Sequence, residues 1–356
     1  LAVFNGGGLV MTDDNPRADS APQTNDTEDD VIGSEALNAN LDNAQPEAVI
    51  FDKRMRVILN PAAGQDEPAL KVFNKLFRDA GYEWDVRITH QAGDATRLAK
   101  EAVNDGVDMV VVYGGDGSIM EVAAGMVGSD VPLGIIPGGT GNVISLALNI
   151  PRNASEAAAL LVADEQAIRH VDAGMVGDKF FLERLGVGLE ATVTQSADRE
   201  AKDKYGIFAY VISTVQALAE PDIVRYRLKI DGETVETEGL SCVVANVGDL
   251  GVANLSLAPD VDMSDGLLDI FIIRKAGLVN LFSLAASVIG GNENQETMPH
   301  YKGREIEIVA EPCQAVQADG ELIGDSPVSV KILPKALKVI VPPVDKNGNI
   351  IESQPG

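Results

Sequence analysis

Hydrophobic and polar positions follow two rhythms along this chain. From Arg54 to about residue 150, short apolar runs alternate with amphipathic stretches. Met55 to Leu59, Trp84 to Ile88, Asp108 to Tyr113 and Pro132 to Ile136 read as buried strands. Helices are expected between them: about Pro68 to Ala80, with Leu70, Phe73, Leu76 and Phe77 on one face, then Asp94 to about Val103, then Ser118 to about Met126. Regular alternation of strand and helix predicts a doubly wound, mostly parallel sheet with helices on both faces. From about Ile168 the rhythm changes. Short β-branched runs appear at Arg225 to Ile230, Leu240 to Ala245, Leu268 to Ile273, Glu305 to Val309, Val328 to Ile332 and Leu337 to Val341. Turn signals such as Asp231-Gly232 and Asp319-Gly320 lie among them, which predicts an antiparallel β-sandwich. Two helices are expected to interrupt it, near Tyr205 to Ala219 and Leu278 to Ile289.

The fold class is therefore α/β: an N-terminal doubly wound domain and a C-terminal antiparallel β-sandwich domain with a few helices. The expected parts are an acidic tail at 1–50, an α/β domain at 51–165, a β-rich domain at 166–343 and a loose end at 344–356. Residues 11–48 are rich in Asp, Asn, Thr, Ala and Pro without an apolar period. Such a segment buries too little surface to offset its ordering entropy, so it is expected to be disordered and dispensable. There is no sign of an internal repeat.

Composition narrows the function. The net charge is −26 over 356 residues, with −9 of it in the first 50 and −17 spread over the rest. Such acidity argues against nucleic acid as a partner and against charge-driven attraction to anionic membrane. Two cysteines, Cys242 and Cys313, make neither a disulfide framework nor a zinc pattern. No run reaches the roughly 18 apolar residues of a spanning helix, and Leu1 to Val10 lacks the basic flank of a secretion signal. A cytoplasmic protein is expected, and Met11 is a candidate start.

Three loops carry candidate chemistry: Asn60-Pro61-Ala62-Ala63-Gly64, Gly114-Gly115-Asp116-Gly117-Ser118 and Pro137-Gly138-Gly139-Thr140-Gly141-Asn142. Each bears glycine, and each lies between a strand and a helix. A parallel sheet brings all three to its carboxyl edge, where glycines allow close backbone approach and helix N-termini offer N–H groups to phosphate. Three such loops at one edge point to a polyphosphate. Asp116 would repel that ligand unless it manages a metal, a proton or a hydroxyl, so it is a candidate for Mg²⁺ management or catalysis. The plainer reading makes it the cap of the helix that starts at Ser118. Neither a dinucleotide G-x-G-x-x-G fingerprint nor a Walker-type G-K-S/T is present.

The three loops resemble the signature loops of the diacylglycerol kinase catalytic domain, a family that includes bacterial soluble lipid kinases and sphingosine kinases. Gly186-Val187-Gly188-Leu189-Glu190-Ala191, Asp262 to Asp269 and Gln317-Ala318-Asp319-Gly320-Glu321 resemble that family's later motifs in the same order, so the likeness spans about Arg54 to Pro342. It implies an ATP-dependent lipid kinase acting on a hydroxyl of a membrane lipid, with ATP and Mg²⁺. It implies that Asn60, Pro61, Gly64, Thr89, Gly114, Gly115, Asp116, Gly117, Ser118, Ile119, Met120, Gly138, Gly139, Thr140 and Asn142 bind the nucleotide. It implies a structural Mg²⁺ on Asp265 with main-chain oxygens of Asp262 and Leu267. It also implies that Asp319 is the base that takes the substrate proton, with Glu321 beside it. Read without the resemblance, Asp319-Gly320-Glu321 is an ordinary hairpin turn.

The chain departs from the family pattern at Ser118 (usually Thr), Ala63 (often Ser), Val143 (often Asp) and Gly251-Val252-Ala253-Asn254 (often consecutive glycines). Ile207, Tyr210, Val211, Thr214, Val215 and Leu218 form a stripe that reads as core, or as a face docking on a bilayer with help from Arg199, Lys202 and Lys204. His90, His170 and His300 are scattered and receive no role. The expected partner is a lipid presented at the inner membrane face, and a homodimer is left open. The rival readings are an NAD kinase, which shares the Gly-Gly-Asp-Gly loop, and an inactive nucleotide- or lipid-binding regulator. The late Asp-Gly-Glu favours the lipid kinase, and the intact acids argue against a decayed enzyme.

Overall fold

The computed structural model describes residues 53–62, 69–163, 166–188, 223–250, 256–274 and 298–343. The acidic tail, Gly64, the apolar stripe from Ile207 to Leu218, its flanking basic residues and the segment from Leu278 to Ile289 lie outside the described residues. Among the described residues no helix is long and apolar enough to cross a membrane.

The first half builds the expected parallel sheet. Strands β1 (Lys53–Leu59), β2 (Tyr82–Ile88), β3 (Met109–Gly114) and β4 (Leu133–Pro137) stand in the order β2-β1-β3-β4, all parallel. Every residue of β3 and β4 is buried, as expected of strands covered on both faces. The connections are helices α1 (Ala69–Asp79), α2 (Asp94–Asn104) and α3 (Asp116–Met126). Phe73 and Phe77 of α1 are fully buried, and they meet Tyr113 and Trp84 edge to face. Leu70, expected on the same face, is exposed. Two short helices, α4 (Val143–Ala147) and α5 (Ala154–Leu160), follow β4.

The second half is an antiparallel sandwich. One layer holds β7 (Arg184–Gly188), β10 (Ser241–Ala245), β11 (Leu268–Ile273), β12 (His300–Gly303), β14 (Ala315–Ala318) and β15 (Glu321–Asp325), in the order β12-β11-β10-β7-β14-β15. The other layer continues the parallel sheet through β16 (Val328–Val341), β13 (Glu305–Glu311), β8 (Val224–Ile230) and β9 (Glu233–Gly239), with β5 (Ala167–Val176) paired to β16 and β6 (Lys179–Phe181) paired to β5. Strand β8 alternates cleanly: Val224, Tyr226, Leu228 and Ile230 point inward, while Arg225, Arg227 and Lys229 point out. Its inward residues share one core with Val187, Val244, Ile270 and Val316 of the facing sheet.

The last strand joins the halves. Val328 to Ile332 and Leu337 to Val341 read as two strands in sequence, but they form one strand whose pairing with β5 slips between Leu333 and Leu337. Val330 pairs in the sandwich, and Val339 pairs in parallel with Leu133 of β4. The chain therefore returns to the first sheet at its end.

Candidate active site

The three glycine-bearing loops emerge from β1, β3 and β4, which are adjacent, so they meet at one sheet edge. Asn60 anchors the first loop. Its N–H donates to Tyr113 O (3.1 Å), its Oδ1 accepts from Ala62 N–H (3.0 Å), and its Nδ2 donates to Ser118 Oγ (2.9 Å). The expected hydroxyl of Ser118 is thus tied to Asn60. Thr89 sits beside the first loop, its N–H donating to Leu59 O (3.0 Å). Asn142 closes the third loop, with Oδ1 accepting from Gly139 N–H (3.0 Å) and Nδ2 donating to Gly139 O (2.7 Å).

Asp116 opens α3 after Gly115, but its side chain does not cap that helix. The carboxylate reaches across to the start of α4, accepting from Ile144 N–H (3.2 Å) and facing the N–H groups of Asn142 and Val143. The reading of Asp116 as the cap of its own helix is corrected: it caps the neighbouring one, because α4 points its unpaired N–H groups at the loop. Burial raises the Asp116 pKa above the ordinary carboxylate value, opposed by those N–H groups and by the charge of Arg184.

Asp319 comes from the other half. Asp319 and Gly320 both adopt positive φ (43° and 82°), and they form the tight turn between β14 and β15. The plain hairpin reading therefore holds together with a placement at the site. The carboxylate accepts three backbone hydrogen bonds, from Leu182 N–H to Oδ2 (2.8 Å) and from Glu183 and Arg184 N–H to Oδ1 (3.0 and 2.9 Å). Burial pushes its pKa up to about 6, against the lowering effect of those donors and of the Arg184 charge. Among the described residues, Oδ1 has both lone pairs engaged, whereas Oδ2 keeps one.

A cleft of about 860 Å³ lies between these walls. One wall holds Asn60, Pro61, Thr89, Gly115, Gly117, Ser118 and Met120. The other holds Asp178, Lys179, Phe180, Ala318, Asp319, Glu321 and Ile323. Of the expected nucleotide residues, Gly114, Asp116, Ile119, Gly138, Gly139, Thr140 and Asn142 do not line it. Gly114, Ile119 and Asn142 are buried, whereas Gly139 and Thr140 are exposed. Lys100, Lys179 and Glu121 line the cleft without having been singled out in sequence, and so does His90, which received no role there. Glu121 Oε2 accepts from Gly93 and Ala95 N–H (2.9 and 3.2 Å), fixing the start of α2 against α3. No local motif marks Lys100 or Lys179; they become visible only when α2 and the β5–β6 turn are brought to the cleft.

A model of the diacylglycerol kinase catalytic domain matches residues 54–176, and one of the YegS C-terminal NAD kinase beta sandwich-like domain matches residues 184–341. The diacylglycerol kinase of Bacillus subtilis is 31% identical over 295 residues, covering 82% of this chain and 97% of that protein. The chain belongs to the diacylglycerol kinase catalytic-domain family. An uncharacterized Synechocystis protein, sll0036, is 33% identical over 307 residues, covering 82% of this chain and 70% of that protein. A crystal structure of a diacylglycerol kinase from Bacillus anthracis superposes with a TM-score of 0.67 at 26% identity, covering 82% of this chain and 97% of that one. The doubly wound sheet with an antiparallel sandwich is this kinase family's fold.

The family's acidic turn, Asp262 to Asp269, does not line the cleft. It is tied to the sheet by Asp172, a buried residue on β5 whose Oδ2 accepts from Gly266 N–H (2.7 Å) and whose Oδ1 accepts from Lys335 N–H (2.7 Å). Asp265 Oδ1 accepts from Leu267 N–H (2.9 Å), which leaves Oδ2 to offer a cation. With the main-chain oxygens of Asp262 and Leu267 the donor set is all hard oxygen, which suits a Mg²⁺ that keeps several waters. A resident cation already stands close. Lys302 Nζ is 3.7 Å from Asp265 Oδ2 and 3.2 Å from both Asp260 Oδ2 and Asp269 Oδ1. His300, given no role from sequence, places Nε2 2.6 Å from Asp269 Oδ1. Asp260, Asp269 and His300 gather within metal-ligand reach of one another, but the Lys302 ammonium is the cation that serves the two acids.

Proposed function

We propose that the protein is an ATP-dependent lipid kinase that transfers the γ-phosphoryl group of ATP to a hydroxyl of diacylglycerol or a related membrane lipid. The observation that carries this reading is Asp319: a carboxylate held by three backbone N–H groups, with a lone pair on Oδ2 left open among the described residues, lining the same cleft as the glycine loop.

Phosphoryl transfer asks mainly for positioning and charge. At the start of α3, Gly117 offers its N–H to the phosphates, and Lys100 and Lys179 add positive charge along the cleft. The acceptor oxygen attacks the γ-phosphorus in line, its proton passes to Asp319 Oδ2, and the bond to the β-phosphate oxygen breaks to release ADP. A carboxyl with a pKa near 6 is mostly ionised at neutral pH and is a stronger base than an ordinary aspartate. Mg²⁺ bound with the nucleotide neutralises phosphate charge, and the turn of Asp262, Asp265 and Leu267 is the candidate holder of a structural Mg²⁺. On this reading the protein works in the cytoplasm and meets its lipid at the inner membrane face.

The test is to incubate the protein with γ-labelled ATP, Mg²⁺ and total lipid extract, and separately with NAD. Label in the organic phase supports the lipid kinase. Label on NAD would replace it with the NAD kinase reading, which the description of the matched C-terminal domain makes worth including. Label on neither would leave a binding protein.

A further inference from the structure

Arg184 carries a charge into the middle of the smaller sheet. Strand β7 lies between β10 and β14, and Leu185 and Val187 turn into the sandwich core. Strand alternation sends the Arg184 side chain to the other face, beside Ala245, its small partner on β10. The side chain is 5% exposed. Nη1 donates to Asp249 O (3.2 Å), and Nη2 lies 3.3 Å from Glu183 Oε2. Its main chain grips Asp319 from both sides: Asp319 N–H donates to Arg184 O (3.0 Å), and Arg184 N–H donates to Asp319 Oδ1 (2.9 Å).

A buried guanidinium is costly unless opposite charge repays its lost hydration. Glu183 is one such charge. Burial pushes Asp319 and Asp116, from opposite sides of the cleft, toward the neutral form; the Arg184 charge favours the ionised form of both, at Asp319 as an addition to the larger effect of its three backbone donors. The other charged side chains along the cleft are Lys100, Glu121, Asp178, Lys179 and Glu321. The acids among them add repulsion. The two lysines are exposed, so water screens them. Arginine keeps its charge at any working pH, which suits a fixed counter-ion.

We propose that Arg184 is a positioning residue for phosphoryl transfer, its buried guanidinium serving as the counter-charge that keeps the Asp319 carboxylate ready beneath the cleft. The step it serves rests on the lipid-kinase reading; its effect on Asp319 does not. Arg184→Gln removes the charge but keeps a donor for Asp249 O, and Arg184→Lys keeps the charge.

Two measurements test this. In lipid phosphorylation, Arg184→Gln is expected to lose about twofold in kcat at pH 7 and about fivefold at pH 6, while KM for ATP stays within about threefold. The acidic limb of its kcat profile should move up by about one pH unit or more, and Arg184→Lys should restore both. In the protein alone, the ¹³C carboxyl signal of Asp319, assigned by its loss in Asp319→Asn, should titrate higher in Arg184→Gln by a similar amount. An unmoved Asp319 titration, a KM for ATP that rises in step with the loss, or an Arg184→Lys variant as damaged as the Gln variant would overturn the proposal. If Arg184→Gln does not fold, Arg184→Lys carries the test, and a titration more than about half a unit from the wild type's would overturn it. A shifted titration in a protein that phosphorylates no lipid would keep this inference and remove the lipid-kinase reading.

Discussion

A Cβ built on Gly139 would stand 2.6 Å from the Cα of Gly115. The loops after β3 and β4 therefore touch backbone to backbone, and Gly138 N–H donates to Gly114 O (2.8 Å) across the same seam. Neither loop can yield without moving the other. Gly139→Ala should force them apart, cost about 1–3 kcal/mol of stability as overpacking does, and lower kcat/KM for ATP at least roughly tenfold. Thermal melts and steady-state kinetics on the same preparation check it. A variant with wild-type values for both would show that the seam has slack.

Gly117 makes the contrasting case. A Cβ there meets nothing within 4 Å, its φ is not positive, and it sits in the first turn of α3 facing the cleft. Alanine is the better helix former, so Gly117→Ala should leave the melting temperature unchanged or raise it, by up to about 1 kcal/mol in stability. Any functional loss must then come from the ligand side. A several-fold rise in KM for ATP is expected, and an unchanged KM would place the phosphates away from this turn.

Asp116→Asn should damage turnover more than folding. The amide keeps an oxygen for Ile144 N–H, so the start of α4 remains capped, and a carboxylate that burial disfavours is removed. If the charge serves the phosphates or their metal, kcat falls on the order of 10²-fold or more. Near-normal turnover with an intact circular dichroism spectrum would reduce Asp116 to the cap of α4.

Parts of this arrangement were legible in the chain and parts were not, for physical reasons. Strands β3 and β4 are covered on both faces, so they read as unbroken apolar runs. Strand β9 runs Glu-Thr-Val-Glu-Thr-Glu-Gly at a sheet edge, and β15 is almost wholly exposed, so neither carries an apolar period. Strand β16 looked like two strands because Pro334 and Lys335, the latter with φ 55°, interrupt the run at a bulge. The loops at Asn60, Gly114 and Pro137 were legible because glycine after a strand is conspicuous. Arg184 was not: a Glu-Arg pair in Phe-Leu-Glu-Arg-Leu-Gly gives no hint that the main chain of the arginine will hold Asp319. Asp116 was found, but its capping partner was misread, because a cap across two loops leaves no trace in local spacing.

The Asp319 pKa of about 6 sets a pH dependence with a definite sign. The base must be ionised to accept a proton, so kcat should rise with pH through about 6. Stability runs the other way. The folded state holds this proton more tightly than the unfolded chain, so the contribution is present below the unfolded value near 3.8 and is lost as pH rises through about 6. Asp319→Asn should remove that downward slope from melts taken between about pH 4 and 7. It should also abolish most of kcat with ATP affinity within about threefold. A variant that keeps its kcat would remove Asp319 from the chemistry.

Lys302 ties three acids of the 260–269 segment together, and its removal separates two accounts of that segment. Asp269 is 1% exposed, its Oδ1 is shared by Lys302 and His300, and its Oδ2 has no hydrogen-bond partner among the described residues. Burial works against the Lys302 ammonium, but Asp269 and Asp260 outweigh it and hold it charged. Lys302→Met leaves Asp260, Asp265 and Asp269 without that cation, and the buried Asp269 carboxylate keeps only His300 beside it, which destabilises the fold. A marked fall in melting temperature is therefore expected in EDTA. If the turn accepts Mg²⁺ through Asp265, millimolar Mg²⁺ without nucleotide should recover part of the loss, because a divalent ion near Asp265 relieves the same repulsion. The wild type, with its ammonium in place, should respond less. Recovery in the variant supports Asp262, Asp265 and Leu267 as oxygen donors to a metal. A variant that melts alike in EDTA and Mg²⁺ would mean that Lys302 is the only cation this turn was built to hold.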